Sequence, residues 1–306
     1  TMLEQAELDL FFKDTGLQPT VSNHLIKWIT DWVRDYGVDG FRIDTAKHVD
    51  MKVWAELKRQ SVAAYEEWKA ANPNKWPDDQ DLPFWMTGEV WDHGVGRSPY
   101  FDNGFDSIIN FKFKGAAGNL AAIDATYSAY AGAVNSDPTF NVLSYISSHD
   151  TSLFDRAGLM NAGSALLMVP GGAQIYYGDE TARPGDAAFH WDQPTRSKMN
   201  WNSINKEVLN HWQKLGQFRA RHQAVGAGAH KKLGDAPYTF ARTLDNDKVV
   251  VAFGASGSAS LPVAGVFADG TSVRDYYTDQ TAVVADGKVT ISGVSASGVV
   301  LLERAP

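Results

Sequence analysis

Cysteine is absent from the 306 residues, so the fold has no disulfide framework and no thiolate-held metal. That absence suits an oxidising compartment as well as a reducing one. No run of residues approaches the roughly 18 apolar positions that a membrane-spanning helix needs. Positive charge is in the minority. The net charge of −8 argues against nucleic acid and anionic membrane as partners. The opening Thr1-Met2-Leu3-Glu4 is not a secretory signal, so any such signal is expected to have been removed or to lie outside the chain. Internal repeats and low-complexity stretches are lacking, as is any acidic loop with the ligand spacing of a calcium site.

What is there is the make-up of an ordinary globular chain. A hydrophobic content of 44% can build one large core and a smaller one, and a charged fraction of 21% gives no sign of disorder. Ten tryptophans and eleven tyrosines are many, and core packing is the plain account of most of them.

The organising stretch runs from Gly37 to His48. Val38, Phe41 and Ile43 read as a short buried strand, and Gly37 and Gly40 allow close approach of neighbours. Asp44 and the polar run Thr45 to His48 follow directly. Before it, Ser22–Tyr36 has helical spacing, with Leu25, Ile26, Ile29, Trp32 and Val33 on one side and Ser22 as N-cap. After it, Met51–Ala70 reads as a second helix. Helix, strand, helix is the unit of a parallel α/β sheet, in which chemistry sits just past the strands' C-terminal ends.

Four more segments read as strands, and three of them end in the same way. Pro83–Glu89 is a strand closed by an acid. Phe105–Phe111 is strand-like, Asn141–Ile146 leads into Ser147-Ser148-His149-Asp150, and Ala173–Tyr177 leads into Gly178-Asp179-Glu180. Helices are expected over Ala116–Tyr130, Ala157–Val169 and Glu207–Arg221. Loops are expected over residues 1–19 and through Trp76-Pro77-Asp78-Asp79. From about residue 229 the composition shifts to short alternating runs (Tyr238–Thr243, Lys248–Phe253, Ser272–Tyr276, Lys288–Ile291, Val299–Leu302), which read as a small antiparallel β domain.

Gly40-Phe41-Arg42-Ile43-Asp44 followed by Lys47-His48 resembles the nucleophile motif of the α-amylase family of glycoside hydrolases (family 13). Thr87-Gly88-Glu89-Val90-Trp91 and Ser147-Ser148-His149-Asp150-Thr151 match that family in the right order, and Thr195–Trp201 resembles its last barrel loop. The resemblance spans the whole chain and is nearest to the bacterial periplasmic members. It implies an α/β fold: the C-terminal part of a (β/α)8 (TIM) barrel, strands four to eight over residues 1–228, then an antiparallel β-sandwich domain over 229–306. The family's first signature is absent. The chain is therefore expected to be the C-terminal portion of a longer enzyme, with an N-terminal fragment as a separate chain.

The implied reaction is hydrolysis of internal α-1,4-glucosidic bonds of starch and maltodextrins with retention, in the periplasm or outside the cell. It needs one carboxylate as nucleophile and one carboxylic acid for the leaving oxygen. Asp44 is the candidate nucleophile. Arg42, two residues earlier, points to the same side and is expected to lower its pKa; a structural ion pair is the plain alternative. Glu89 is the candidate acid/base. It follows the apolar run Phe84-Trp85-Met86, which is expected to raise its pKa, and an ordinary surface glutamate is the alternative. For retention the two carboxyl groups should lie roughly 5–5.5 Å apart.

By the same resemblance Asp150 is the third carboxylate, holding sugar hydroxyls with His149 beside it. Lys47 and His48 contact the leaving-group side, and the His48 main-chain carbonyl is a calcium ligand whose companions lie outside this chain. Trp91 and Tyr177 are candidates for stacking on sugar rings, with Tyr176 assigned to the core. Asp179, Glu180 and Arg183 are rim candidates for sugar hydroxyls, or plain surface charge. A transglycosylase or α-glucosidase on the same scaffold, or a non-catalytic sugar-binding fragment, stays open as an alternative.

Overall fold

The computed structural model describes residues 2–75, 82–186, 188 and 194–306. These form two compact units, one comprising the residues up to Trp91 with Gly96–Ile109, the other Asp92–Val95 with Asn110–Pro306. The segment Trp76-Pro77-Asp78-Asp79, expected as a turn, lies outside the described residues.

The first unit opens with α1 (Met2–Thr15), where a loop was expected. No proline or glycine interrupts it before Gly16, and Gln5 donates to Asp9 one turn on. α2 (Val21–Tyr36) is capped by Thr20, whose hydroxyl accepts from the Asn23 amide, two residues earlier than the Ser22 cap expected. Gly37 ends it in the left-handed conformation, with its N–H on the Val33 carbonyl. β1 (Gly40–Ile43), α3 (Met51–Ala71), β2 (Trp85–Gly88) and β3 (Ser107–Asn110) follow. β1 pairs β2 in parallel with Ile43 opposite Gly88, and β2 pairs β3 with Thr87 opposite Ser107. The face of α2 departs from expectation. Ile26 and Val33 are buried, but Leu25, Ile29 and Trp32 are exposed in this chain.

The second unit contains α4 (Phe113–Ala116), α5 (Ile123–Ser136), β4 (Asn141–Ser144), α6 (Leu159–Leu167), β5 (Gly172–Ala173), α7 (Lys206–Arg221) and α8 (Gln223–Ala227). The helix expected over Ala116–Tyr130 therefore starts later and runs further. Gly118 and Asn119 lie in the break that separates α4 from α5. β5 is shorter than the five residues expected, because it pairs β4 only through Leu143–Gly172 and Ser144–Ala173. Asn205 caps α7 by accepting from the Glu207 and Val208 amides.

Eight antiparallel strands complete the unit: β6 (Ala229–Asp235), β7 (Tyr238–Leu244), β8 (Asp247–Phe253), β9 (Ser258–Pro262), β10 (Ser272–Asp275), β11 (Gln280–Val283), β12 (Lys288–Ser292) and β13 (Val300–Arg304). Six form one sheet in the order β11-β10-β13-β8-β7-β6, and β12-β9 form a second. Ala259, Leu261, Val289 and Ile291 of the small sheet pack with Val250, Ala252, Val273, Val300 and Leu302 of the large one, which makes a sandwich. The other face of the large sheet, with Phe240, Val249, Val251 and Leu301, shares a core with Leu159, Leu166, Trp212, Leu215 and Phe218 of the helices. Parallel strands alternating with helices, then an antiparallel sandwich, are the C-terminal part of a (β/α)8 barrel and a β domain.

Candidate active site

In the first unit the chemistry gathers where β1 and β2 end. The Glu89 amide donates to the Ile43 carbonyl at 2.8 Å, and the Ala46 amide donates to the Glu89 carbonyl at 2.9 Å, so the two strand ends are locked together. Thr45 takes a left-handed φ of 45°. That turn aims its N–H at Glu89 Oε2, 3.0 Å away. Arg42 joins the two acids. Its Nη1 lies 2.6 Å from Asp44 Oδ1 and its Nη2 3.4 Å from Glu89 Oε2.

The two carboxylates differ in access. The Asp44 side chain is 68% exposed and that of Glu89 only 8%. Phe84 and Met86 are buried but Trp85 between them is exposed, so the apolar run is only partly buried before Glu89. Its carboxylate is nonetheless met by two polar donors, Arg42 and the Thr45 amide, which the sequence reading did not include. Lys47 and His48 sit exposed on a single 3-10 turn, Ala46–His48, and Trp91 is 51% exposed.

In the second unit Asp150 follows β4 and is addressed from two sides. His149 Nε2 is 2.8 Å from Oδ2 and Arg196 Nη2 is 3.1 Å from Oδ1. The Thr195 hydroxyl donates to the His149 carbonyl at 3.1 Å. Tyr177 is partly exposed and its hydroxyl donates to the Ser197 carbonyl at 2.8 Å. Tyr176 is not a core residue. It is half-buried with its ring centroid 6.5 Å from that of His149, and burial pushes its hydroxyl up to about 12.

Asp179 and Arg183 are corrected outright, because neither is on a rim. Both are fully buried. Arg183 spends its donors on the carbonyls of Tyr177, Thr195 and Ser197 and on the Ser197 hydroxyl, with its guanidinium carbon 3.8 Å from the Tyr177 ring centroid. Asp179 accepts from the Ser147 hydroxyl and pairs with Arg156. Half-buried Glu180 turns back onto the Gly178 amide. The residue missed by sequence reasoning is Arg196. Its signal lies in Thr195–Trp201, whose one arginine faces Asp150.

Calcium takes six to eight oxygens. Among the described residues no group of three or more His, Asp or Glu side chains is placed to hold a metal. One main-chain carbonyl at His48 does not make a site, so these residues alone do not fit the ion.

Residues 8–206 match the alpha-amylase catalytic domain. The periplasmic alpha-amylase of Escherichia coli (strain K12) is 48% identical, over 76% of this chain and 35% of that protein. The alpha-amylase of Streptomyces lividans is 27% identical over 93% of this chain and 35% of its own length. The chain thus spans about a third of the length of these two relatives. Among solved structures, an Anoxybacillus alpha-amylase superposes with a TM-score of 0.72 at 23% identity, over 94% of this chain and 64% of that one. A Geobacillus thermoleovorans alpha-amylase complexed with acarbose gives 0.70 at 19%, over 93% and 64%.

Proposed function

Because the chain belongs to the α-amylase family of glycoside hydrolases, we propose that the whole protein hydrolyses α-1,4-glucosidic bonds of starch and maltodextrins with retention of configuration. The observation that carries this reading is the single guanidinium of Arg42 set against both Asp44 and Glu89. Asp44 is accessible and attacks the anomeric carbon. Glu89 gives a proton to the departing glycosidic oxygen, then takes one from the water that releases the glycosyl-enzyme. Arg42 orients the Asp44 carboxylate through a charge-assisted hydrogen bond.

Asp150, with His149, is assigned to sugar hydroxyls, Lys47 and His48 to the leaving-group side, and Trp91 and Tyr177 to stacking. Residues 1–228 are taken as strands four to eight of the barrel and 229–306 as the C-terminal domain. A partner portion supplies the earlier strands, and the site of action is the periplasm. Calcium, if held, takes the His48 carbonyl as one ligand among others from that portion, and no step runs through it.

The test is D44N and E89Q in the full-length protein with maltoheptaose as substrate, with the anomer of the first product read by NMR. Loss of nearly all turnover in both, in variants that stay folded, and an α-anomeric first product are expected. Near-normal hydrolysis by D44N, or an inverted product, overturns the assignment.

A further inference from the structure

The loop after β4 presents His149 and Asp150, and the loop after β5 presents Tyr176 and Tyr177. Beneath them lies a buried polar cluster that the proposed chemistry does not use. Asp179 Oδ1 accepts from the Ser147 hydroxyl at 2.7 Å and lies 2.9 Å from Arg156 Nη2. The Ser147 oxygen in turn accepts from the Phe154 amide at 2.9 Å and from Arg156 at 3.1 Å. Arg156 also donates to the Phe154 carbonyl at 2.8 Å and to the Arg183 carbonyl at 3.3 Å. One aspartate from the second loop thereby closes both ends of the first, at Ser147 and at Phe154–Arg156. Lys114 holds the outer bend through the Ser152 and Leu153 carbonyls.

Burying a carboxylate costs free energy unless it is paired and hydrogen-bonded. Asp179 has 0% side-chain exposure, and its Oδ2 has no hydrogen-bond partner among the described residues. A chain selected for stability alone has cheaper ways to fill this space. We propose that Asp179 is a positioning residue: with Ser147 and Arg156 it fixes the loop that carries Asp150 against the loop that carries Tyr177. This rests on the catalytic reading of Asp150, and the test keeps the two apart.

D179N keeps the shape but removes the charge that answers Arg156, and S147A removes the hydroxyl that bridges the loops. Hydrogen exchange of the purified chain is read on peptides covering 147–156 and 174–183, with α7 as internal reference. Both variants are expected to raise exchange of the two loops at least tenfold while α7 stays protected. In the full-length protein kcat for maltoheptaose should fall at least tenfold, with KM within about twofold. Unchanged loop exchange, or a rise spread evenly over the chain, overturns the proposal. S147A keeps the test decisive if D179N fails to fold. D150N is the control: if it hydrolyses normally the catalytic reading falls, while exchange still reports on the clamp.

Discussion

Arg42 Nη1 stands 2.6 Å from Asp44 Oδ1. The same guanidinium reaches Glu89 with its other terminal nitrogen, so one planar fork serves two carboxylates with different access to solvent. A lysine ammonium is a point charge on a flexible stem and does not reproduce that fork. R42L is expected to lower kcat for maltoheptaose by about 10²–10³-fold, the usual effect of deleting one preorganised electrostatic partner. R42K should fall between R42L and the parent, with KM little changed. Steady-state kinetics of the full-length protein decide it: unchanged kcat in R42L would remove Arg42 from the site.

Two buried histidines in the second unit make it sensitive to acid. His230 Nδ1 accepts from Arg242 Nε at 2.9 Å and its Nε2 faces Asp124 at 3.0 Å. His211 Nδ1 faces the Tyr277 hydroxyl at 2.6 Å and its Nε2 faces the Met160 carbonyl at 2.9 Å. Burial lowers both to about 4. The unfolded chain takes up these protons below pH ~6.5 and the folded chain does not, so stability is full above that pH and falls towards pH ~4. Each histidine contributes at most about 3 kcal/mol to that loss. Asp179, raised by burial, works in the opposite sense. Urea denaturation at pH 7.5, 5.5 and 4.5 should show the decline, and H211N should make it shallower. A flat profile would contradict the neutral assignment.

The legible parts of the fold were those where local signals agree. The apolar spacing of α2, α3 and α7 matches their extents within a residue or so, and the Asp245-Asn246-Asp247 run stands at the turn that joins β7 to β8. β5 was over-read because strand length depends on a neighbour's register, which one segment does not encode. β6 was missed because its Ala-His-Lys-Lys-Leu-Gly-Asp run lacks β-branched residues and is placed by pairing with β7. At the site, the residue types pointed to the end of each strand but not to depth. Nothing local distinguishes Asp179, which is buried on Arg156, from Asp150, which is a third exposed beside Arg196.

Gly37 joins α2 to β1 under a steric constraint. Its φ is +70°, and a Cβ there would lie 2.3 Å from Trp68. G37A is expected to destabilise the chain by about 2–4 kcal/mol, combining left-handed strain with overpacking. Gly16 has the same φ, and a Cβ there would meet nothing within 4 Å among the described residues. G16A therefore isolates the backbone contribution, about 1–2 kcal/mol. Equal urea midpoints for the two variants would show that Trp68 yields at no cost.

Arg242 is the tie between the helices and the β domain. It is fully buried, and among the described residues its hydrogen bonds go to no carboxylate. Its donors go instead to the Val225 carbonyl, to the Met168 carbonyl at 3.1 Å and to His230, and its guanidinium carbon lies 5.0 Å from the Tyr127 ring centroid. Burial lowers it to about 10, still well above neutral, so it is a cation held by carbonyl dipoles and aromatic faces. R242M keeps volume and stem packing but leaves Val225 O, Met168 O and His230 Nδ1 without their donor. Each unsatisfied buried acceptor costs about 1–3 kcal/mol, while relief from burying a charge returns part of that. A net loss of about 2–4 kcal/mol is expected, with β6 amides losing hydrogen-exchange protection before those of β8. R242M as stable as the parent would mean that ring packing, not the carbonyl bonds, holds β6 and β7 against the helices.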